Sequence, residues 1–116
     1  MLLNVIDANG NQQTIIAQSQ GVPADLSGLI SATGQSQILL NANAGRSNYF
    51  IQNLGTNPMF VNELGVAASE TVAPLNGSIM IPPGGSFPPF GYPITTTQIN
   101  IIGTAGDAFV AREVTG

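Results

Sequence analysis

Charged residues are scarce in this chain: two are basic and six are acidic among 116 residues, and lysine does not occur. The charged fraction is 7%, whereas an ordinary soluble domain carries charge on about a quarter of its residues. Charges keep a surface solvated and repel neighbouring molecules. We therefore expect much of this surface to be covered by other subunits. The charged residues are Asp7, Asp25, Arg46, Glu63, Glu70, Asp107, Arg112 and Glu113.

Cysteine and histidine are also absent. The fold therefore has no disulfides or thiolate ligands, and it lacks the side chain that most often serves as general base and metal ligand. The serines have no histidine to activate them. Glu63 and Glu70 would be a carboxylate pair for glycoside cleavage only beside a sugar-binding cleft, of which the sequence gives no sign. The sequence predicts no enzyme activity, no catalytic residue, no metal and no cofactor.

The sign of the net charge excludes further partners. The chain carries a net charge of −4, and its only cations are Arg46 and Arg112, so it lacks the positive field that attracts nucleic-acid phosphates. No apolar run approaches the roughly 20 residues of a membrane span, and the N-terminal residues lack the basic region of a signal peptide. We predict synthesis in the cytoplasm and no nucleic-acid or membrane partner.

Disorder is an alternative for a chain that is poor in charge and rich in glycine and proline. Disordered segments have low hydrophobicity, but 43% of these residues are apolar and the mean hydropathy is +0.25. At this length folding buries roughly two-thirds of the accessible surface. The sequence therefore predicts one folded domain around one core.

Short apolar runs alternate with turn-forming residues every eight to twelve positions or so, a spacing typical of an antiparallel β-sandwich. The segment 26–32 has a helical alternative, because Asp25 could cap a short helix, although Gly28 disfavours one. We predict an all-β fold with strands at 2–6, 14–17, 26–32, 37–40, 48–53, 59–63, 78–81, 86–90, 98–102 and 108–113.

The first residues read as a β-hairpin whose turn is Asn9-Gly10, since this dipeptide between apolar runs is a strong hairpin signal. Residues 7–11 also place oxygen side chains at alternate positions, as a calcium loop does, but the glycine and glutamate of such a loop are missing. We divide the chain into a hairpin or arm at 1–25 and a sandwich at 26–116. Whether the hairpin reaches a neighbour or adds two strands to the sandwich stays open.

The segment from Arg46 to Leu64 reads as a second hairpin. In one register Tyr49 and Ile51 share a face with the residues at 59 and 61, and Phe50 shares the opposite face with Phe60. Both faces are then apolar, so another protein or a loop of the chain must cover the second one. This placement puts Phe60 in the core, where truncation to alanine would cost more stability than truncation of Tyr92 in a rim connection.

The same region carries a resemblance to a known class of proteins. The segments are GRSNYFIQNLG at 45–55, PMFVNELG at 58–65, SIMIPPGGSF at 78–87, FGYP at 90–93 and INIIGTAGDAFVARE at 99–113. They resemble small virion structural proteins of tailed phages, of the head-decoration, cement or head-fibre kind. The resemblance covers roughly residues 26–116 and leaves the N-terminal hairpin unmatched.

The resemblance implies a β-sandwich of jelly-roll or immunoglobulin-like character on the capsid surface of a bacteriophage. Its partner would be the major capsid protein, which it would stabilise as a decoration or cement protein. The alternative is a receptor- or glycan-binding module of a phage tail or fibre. In either case we expect a homo-oligomer, with a trimer favoured.

Six residues are the candidates for the interface. An arginine at a subunit boundary can bind a carboxylate or a row of carbonyls with fixed geometry, although either arginine could instead lie at a solvated strand end. The aromatic residues and the nearby glutamate come from the segment with two apolar faces. The candidates are Arg46, Tyr49, Phe50, Phe60, Glu63 and Arg112.

Overall fold

A computed structural model of the chain describes residues 21–71 and 74–116, together with the backbone of 2–6 and 12–16. These residues form eleven strands and one short 3-10 turn at Leu75–Gly77. The strands are β1 Leu2–Ile6, β2 Gln12–Ile16, β3 Val22–Asp25, β4 Gly28–Leu29, β5 Gln37–Leu40, β6 Arg46–Asn53, β7 Met59–Asn62, β8 Ile79–Ile81, β9 Ser86–Phe87, β10 Ile99–Ile102 and β11 Ala108–Thr115.

Two antiparallel sheets pack together as a β-sandwich, which confirms the predicted fold class. One sheet has four strands in the order β5-β10-β7-β8. The other has five, in the order β3-β11-β6-β9, with β4 pairing with β11 next to β3. The inward side chains of both sheets form one core, made of Ile30, Leu39, Leu40, Tyr49, Ile51, Met59, Val61, Ile81, Phe87, Ile99, Ile101, Phe109 and Ala111.

Alternation along the long strands explains how the core is filled. In β6, Tyr49, Ile51 and Asn53 are buried while Phe50 between them is exposed, because successive side chains of a strand point to opposite faces. In β10 all four residues are buried. The outward side chains of that strand must therefore be covered by another part of the chain.

The predicted hairpin from Arg46 to Leu64 does not form. β6 belongs to the five-stranded sheet and β7 to the four-stranded sheet, so the connection between them crosses the sandwich. Tyr49, Ile51, Met59 and Val61 still meet in the core as the alternation requires. Phe60 is only half-buried and pairs with Ile102 and Met80 on the outer face of its sheet, so its assignment to the core was wrong.

Several strand boundaries differ from the predicted ones for identifiable reasons. The strands at 2–6 and 37–40 have the predicted bounds. The predicted strand at 86–90 ends at Phe87, since Pro88 and Pro89 have no backbone N–H to donate. The segment 26–32 contributes only Gly28–Leu29.

The sandwich begins earlier than the predicted division at residue 26. Val22–Asp25 forms an edge strand that pairs with β11, and its four side chains are all exposed. The strand gave no apolar pattern to recognise, and its Pro23 is tolerated because an edge strand has one unpaired side.

The two N-terminal strands pair with each other, Leu2 opposite Ile16 and Ile6 opposite Gln12. They form a two-stranded sheet of their own. The predicted Asn9-Gly10 turn and its calcium-loop alternative at 7–11 lie outside the described residues. The arm remains a prediction.

Two truncations test where the sandwich begins. Deleting residues 1–20 should leave the melting temperature of the sandwich nearly unchanged, because the deletion stops before β3. Deleting residues 1–25 should lower it by several degrees, because β11 then loses its edge partner. A shift of about 4–8 °C corresponds to roughly 1 kcal/mol for a domain of 60–100 residues. Loss of the cooperative transition in the shorter deletion would show that the hairpin is part of the core.

Candidate interaction surface

The outer face of the four-stranded sheet is partly covered by the chain itself. Residues 64–71 and 74–78 pass over its two buried asparagines: Asn62 Nδ2 donates to the Asn76 carbonyl at 2.9 Å and Asn100 Nδ2 to the Val66 carbonyl at 2.8 Å. Ile38 and Met80 on the same face remain exposed. The Ala68 N–H donates to Ser36 Oγ at 2.9 Å. Buried amides need such partners, so these bonds fix the covering segment.

The outer face of the five-stranded sheet is exposed. We call it the open face and define it by the outward residues of β3, β4, β6, β9 and β11. Cross-strand pairs place Arg112 between Asp25 and Phe50, and Val114 between Pro23 and Asn48. Phe50 is 40% exposed and Leu29 58%. The open face consists of Pro23, Asp25, Leu29, Asn48, Phe50, Gln52, Ser86, Ala108, Val110, Arg112 and Val114.

The open face carries one charge of each sign. Asp25 Oδ1 accepts the Ser27 N–H at 2.9 Å. Hydrogen bonds from Ser27, and to a smaller extent the positive charge of Arg112, lower the pKa of the Asp25 carboxyl. Among the described residues Arg112 has no carboxylate within 4.0 Å. The open face is therefore neutral overall, with its cation available to a partner.

An aromatic groove borders the open face. Phe50 lines one side, while Phe90, which is fully exposed, lines the other with Tyr92. The groove encloses about 530 Å³. Asn48 Oδ1 accepts the Tyr49 N–H at 2.9 Å. This N–H is therefore not free to pair with a further β-strand beside β6. The groove can therefore bind through ring faces and side-chain polar groups.

Arg46 lies at one end of the sandwich and is 5% exposed. Its Nε donates to Glu113 Oε1 at 2.8 Å. The two terminal nitrogens donate to the carbonyls of Asn41, Thr95 and Thr97 at 2.6–2.9 Å. The guanidinium thus joins β6 and β11 of one sheet to segments that flank β5 and β10 of the other.

Glu63 joins two tyrosines next to this cluster. Its Oε2 accepts the Tyr49 hydroxyl at 3.2 Å, and its Oε1 accepts the Tyr92 hydroxyl. Burial, followed by the charge of Glu63 and its hydrogen bond, raises the pKa of Tyr49. The pKa of Tyr92 is raised chiefly by its hydrogen bond to Glu63. The ring of Tyr92 packs edge-on against Phe87 with centroids 5.3 Å apart.

The six candidate interface residues separate into three places. Arg46 and Tyr49 are buried inside the domain, so neither offers its side chain to a partner. Glu63 accepts bonds from Tyr49 and Tyr92. Phe50 and Arg112 are cross-strand neighbours on the open face. Phe60 lies on the other sheet.

Sequence reasoning missed two features of the surface. Asp25 was not among the candidates, and the alternation through β11, with Ala108, Val110, Arg112 and Val114 on one side, was not used to define a face. That alternation was the available signal. The position of Phe90 depends on the path of the rim connection, which has no periodic pattern.

Comparisons of this chain with protein-family models, curated proteins and solved structures found no match. Within the described ranges no three acidic residues converge to form a metal site. In the same ranges no helix has the length and hydropathy needed to cross a membrane.

The two arginines should respond very differently to substitution. Arg46→Met should destabilise the fold by about 3–5 kcal/mol, because it leaves Glu113 without its cation and removes the donors of three carbonyls. Arg112→Met should change stability by less than about 0.5 kcal/mol, as expected for an exposed residue. Urea unfolding of both variants measures this, and equal effects would refute the assigned roles.

The tyrosine cluster predicts a loss of stability at alkaline pH. The unfolded chain releases its phenolic protons near pH 10 or so, while the folded chain retains them to higher pH. Above that pH the unfolded state binds fewer protons, so the free energy of unfolding falls as pH rises. The stabilisation that comes from the raised tyrosine pKa values is fully present below about pH 10. Urea midpoints measured as a function of pH should show this decline, and Tyr49→Phe should reduce it.

Glu63→Gln separates the causes of the two shifts. The pKa of Tyr92 should return toward its ordinary value, whereas that of Tyr49 should stay raised because burial is its main cause. The chain has only two tyrosines, so the ultraviolet absorbance of ionised phenol reports both directly. Ordinary pKa values for both groups in the folded wild type would contradict the described cluster.

Proposed function

We propose that this protein is a structural virion protein that binds the outer surface of a phage capsid as a homo-oligomer and stabilises it. The observation that carries the proposal is the open face: a neutral, partly apolar sheet surface that the chain leaves exposed and that suits contact with another protein subunit. The sequence resemblance to phage decoration and cement proteins supplies the class of partner.

The distribution of charge supports a role in protein assembly. Arg46 and Glu113 neutralise each other inside the protomer, and the open face carries only Asp25 and Arg112. Burying an unpaired charge is costly, whereas apolar and hydrogen-bonded neutral groups can be covered at little cost. A surface of this kind suits close contact with another protein.

Stabilisation of a shell then follows from binding equilibria. A subunit that binds only the assembled lattice lowers the free energy of that lattice by mass action. If each oligomer contacts several capsomers, the contacts act together and the combined affinity greatly exceeds that of one contact. No chemical step is required, and the whole effect resides in the contact surfaces.

The aromatic groove favours a second candidate, a receptor- or glycan-binding module of a tail or fibre. Phe90 presents its ring to solvent, and the polar side chains of Asn48 and Ser86 also line the groove. Aromatic rings with polar neighbours are typical of binding sites that take a ligand with one apolar face. This candidate predicts a few copies per particle, while decoration predicts hundreds.

Quantitative mass spectrometry of purified phage particles tests the proposal directly. The copy number of this chain, relative to the major capsid protein, should match a repeated site on the head lattice. Particles produced without the protein should release their genome at a lower temperature, as followed by a DNA-binding dye, and added purified protein should restore the original temperature.

Two results would contradict decoration. A few copies per particle, located at the tail by antibody labelling, would favour the receptor-binding alternative. Complete absence from particles would remove both virion assignments. A Phe90→Ser variant distinguishes the surfaces: it should impair glycan or receptor binding if the groove is the site, and leave the copy number on heads unchanged if the head contact lies elsewhere.

A further inference from the structure

We propose that the open face is the contact between two copies of this chain, which pack face to face with Arg112 of each copy against Asp25 of the other. This inference deepens the homo-oligomer of the proposed function: it gives the open face to the contact between copies, leaves the capsid contact to another surface, and is tested on the purified protein alone. A second copy is the occupant favoured by the charges, by the pairing geometry and by the side chains that surround the pair.

The open face offers two approaching copies charges of opposite sign to pair. The chain carries a net charge of −4, so most orientations place acidic groups opposite each other. Glu63 lies beside the tyrosines, Glu70 lies near Gly34, and Asp107 accepts bonds from Asn57. All three are outside the open face, which contains one cation and one anion.

The positions of these charges suit a two-fold contact. Asp25 and Arg112 are direct partners across β3 and β11, which places their Cβ atoms about 5 Å apart. In an isologous contact, residue i of one copy meets residue j of the other, and the reverse contact follows by symmetry. An axis along the strands, between β3 and β11, brings each Arg112 over the partner's Asp25.

The same axis pairs apolar side chains. Val114 lies opposite Pro23 within one copy, so the symmetry places it against the partner's Pro23. Phe50 adjoins Arg112 on the side away from Asp25 and lies toward the edge of the partner's β3. Apolar side chains would therefore surround the two ion pairs and partly exclude water, which strengthens a charge pair relative to one in full solvent.

The size of the face sets the expected strength of this contact. β11 has eight residues, about 26 Å at 3.3 Å per residue, and four strands span roughly 19 Å at 4.8 Å each. The two-fold axis superposes only β3 and β11 of the two copies, because β3 is an edge strand, so the contact covers about half of that face, roughly 250 Å² in projection, well below the roughly 800 Å² per partner of a standard specific interface. We expect a weak, reversible dimer that forms only at high protein concentration.

Sedimentation velocity of the full chain over a series of concentrations tests the contact. The wild type should shift from monomer to dimer as its concentration rises. Arg112→Glu places like charges opposite each other at both ion pairs and should weaken the dimer by more than about 100-fold. The double variant Gln35→Glu with Thr56→Glu is the matched control, since it lowers the net charge by the same two units at exposed positions outside the open face, and the dimer should persist. Circular dichroism checks that each variant is folded.

A mixture of two variants tests the specific pair. Arg112→Glu and Asp25→Arg should each be monomeric alone, because each brings like charges together in its own dimer. Mixed in equal amounts they should form a heterodimer, because both cross-copy pairs then have opposite signs. If Asp25→Arg does not fold, Arg112→Glu and its control still decide the question.

Several outcomes would overturn the proposal. These are a wild type that stays monomeric at the highest concentration, a trimer as the sequence favoured, or an Arg112→Glu variant that dimerises like the wild type. If Arg112→Glu fails to bind particles while the wild type is a monomer in solution, the open face is the capsid contact. All of these results differ from failure of the capsid assignment, which leaves the dimer intact and the particles without the protein.

Discussion

The Arg46 guanidinium is the interaction that joins the two sheets of this sandwich at one end. It bonds Glu113 in the five-stranded sheet and, through three carbonyls, the segments beside β5 and β10 of the four-stranded sheet. A buried cation is tolerated only when its donors are satisfied, and here each nitrogen has an acceptor. The network therefore fixes the end of the sandwich at which β6 begins and β11 ends.

The same network determines what remains for the surface. It uses one of the two cations of the chain internally, so Arg112 is the single cation that a partner can meet. Glu63 is likewise occupied by the hydroxyls of Tyr49 and Tyr92. The exposed surface is thus poorer in available charge than the composition alone indicates, and its contacts must come mainly from apolar and neutral polar side chains.

Local pattern was sufficient for the fold class and for most strands, but not for the neighbours of each strand. Alternation correctly separated Tyr49 and Ile51 from Phe50, and Val61 from Phe60, but it did not show which of the two faces is the core. It carries no information about whether two successive strands share a sheet, so β6 and β7 were paired wrongly and Phe60 was taken as a core residue. Strand β3, which has four exposed residues, is held by hydrogen bonds to β11 and not by an apolar face.

The candidate site was only partly predictable for the same reason. Phe50 and Arg112 were recognised from their residue types, but their contact on one face depends on the pairing of β6 with β11. The acceptors of Arg46 come from positions as distant as Asn41 and Thr97. A single sequence shows that an arginine needs acceptors, and it does not show which carbonyls the fold brings to it.

The two outer faces differ in how their polar side chains are satisfied. Asn62 and Asn100 are buried cross-strand partners, and their amides donate to carbonyls of the covering segment. On the open face Asn48 is exposed and Gln52 is only half-buried, so water can satisfy the polar atoms that no protein group binds. Such a face is stable when hydrated, and it can be covered without leaving a buried amide unpaired if a partner supplies or retains those bonds. The open face is therefore suited to a subunit that folds first and meets its partner later.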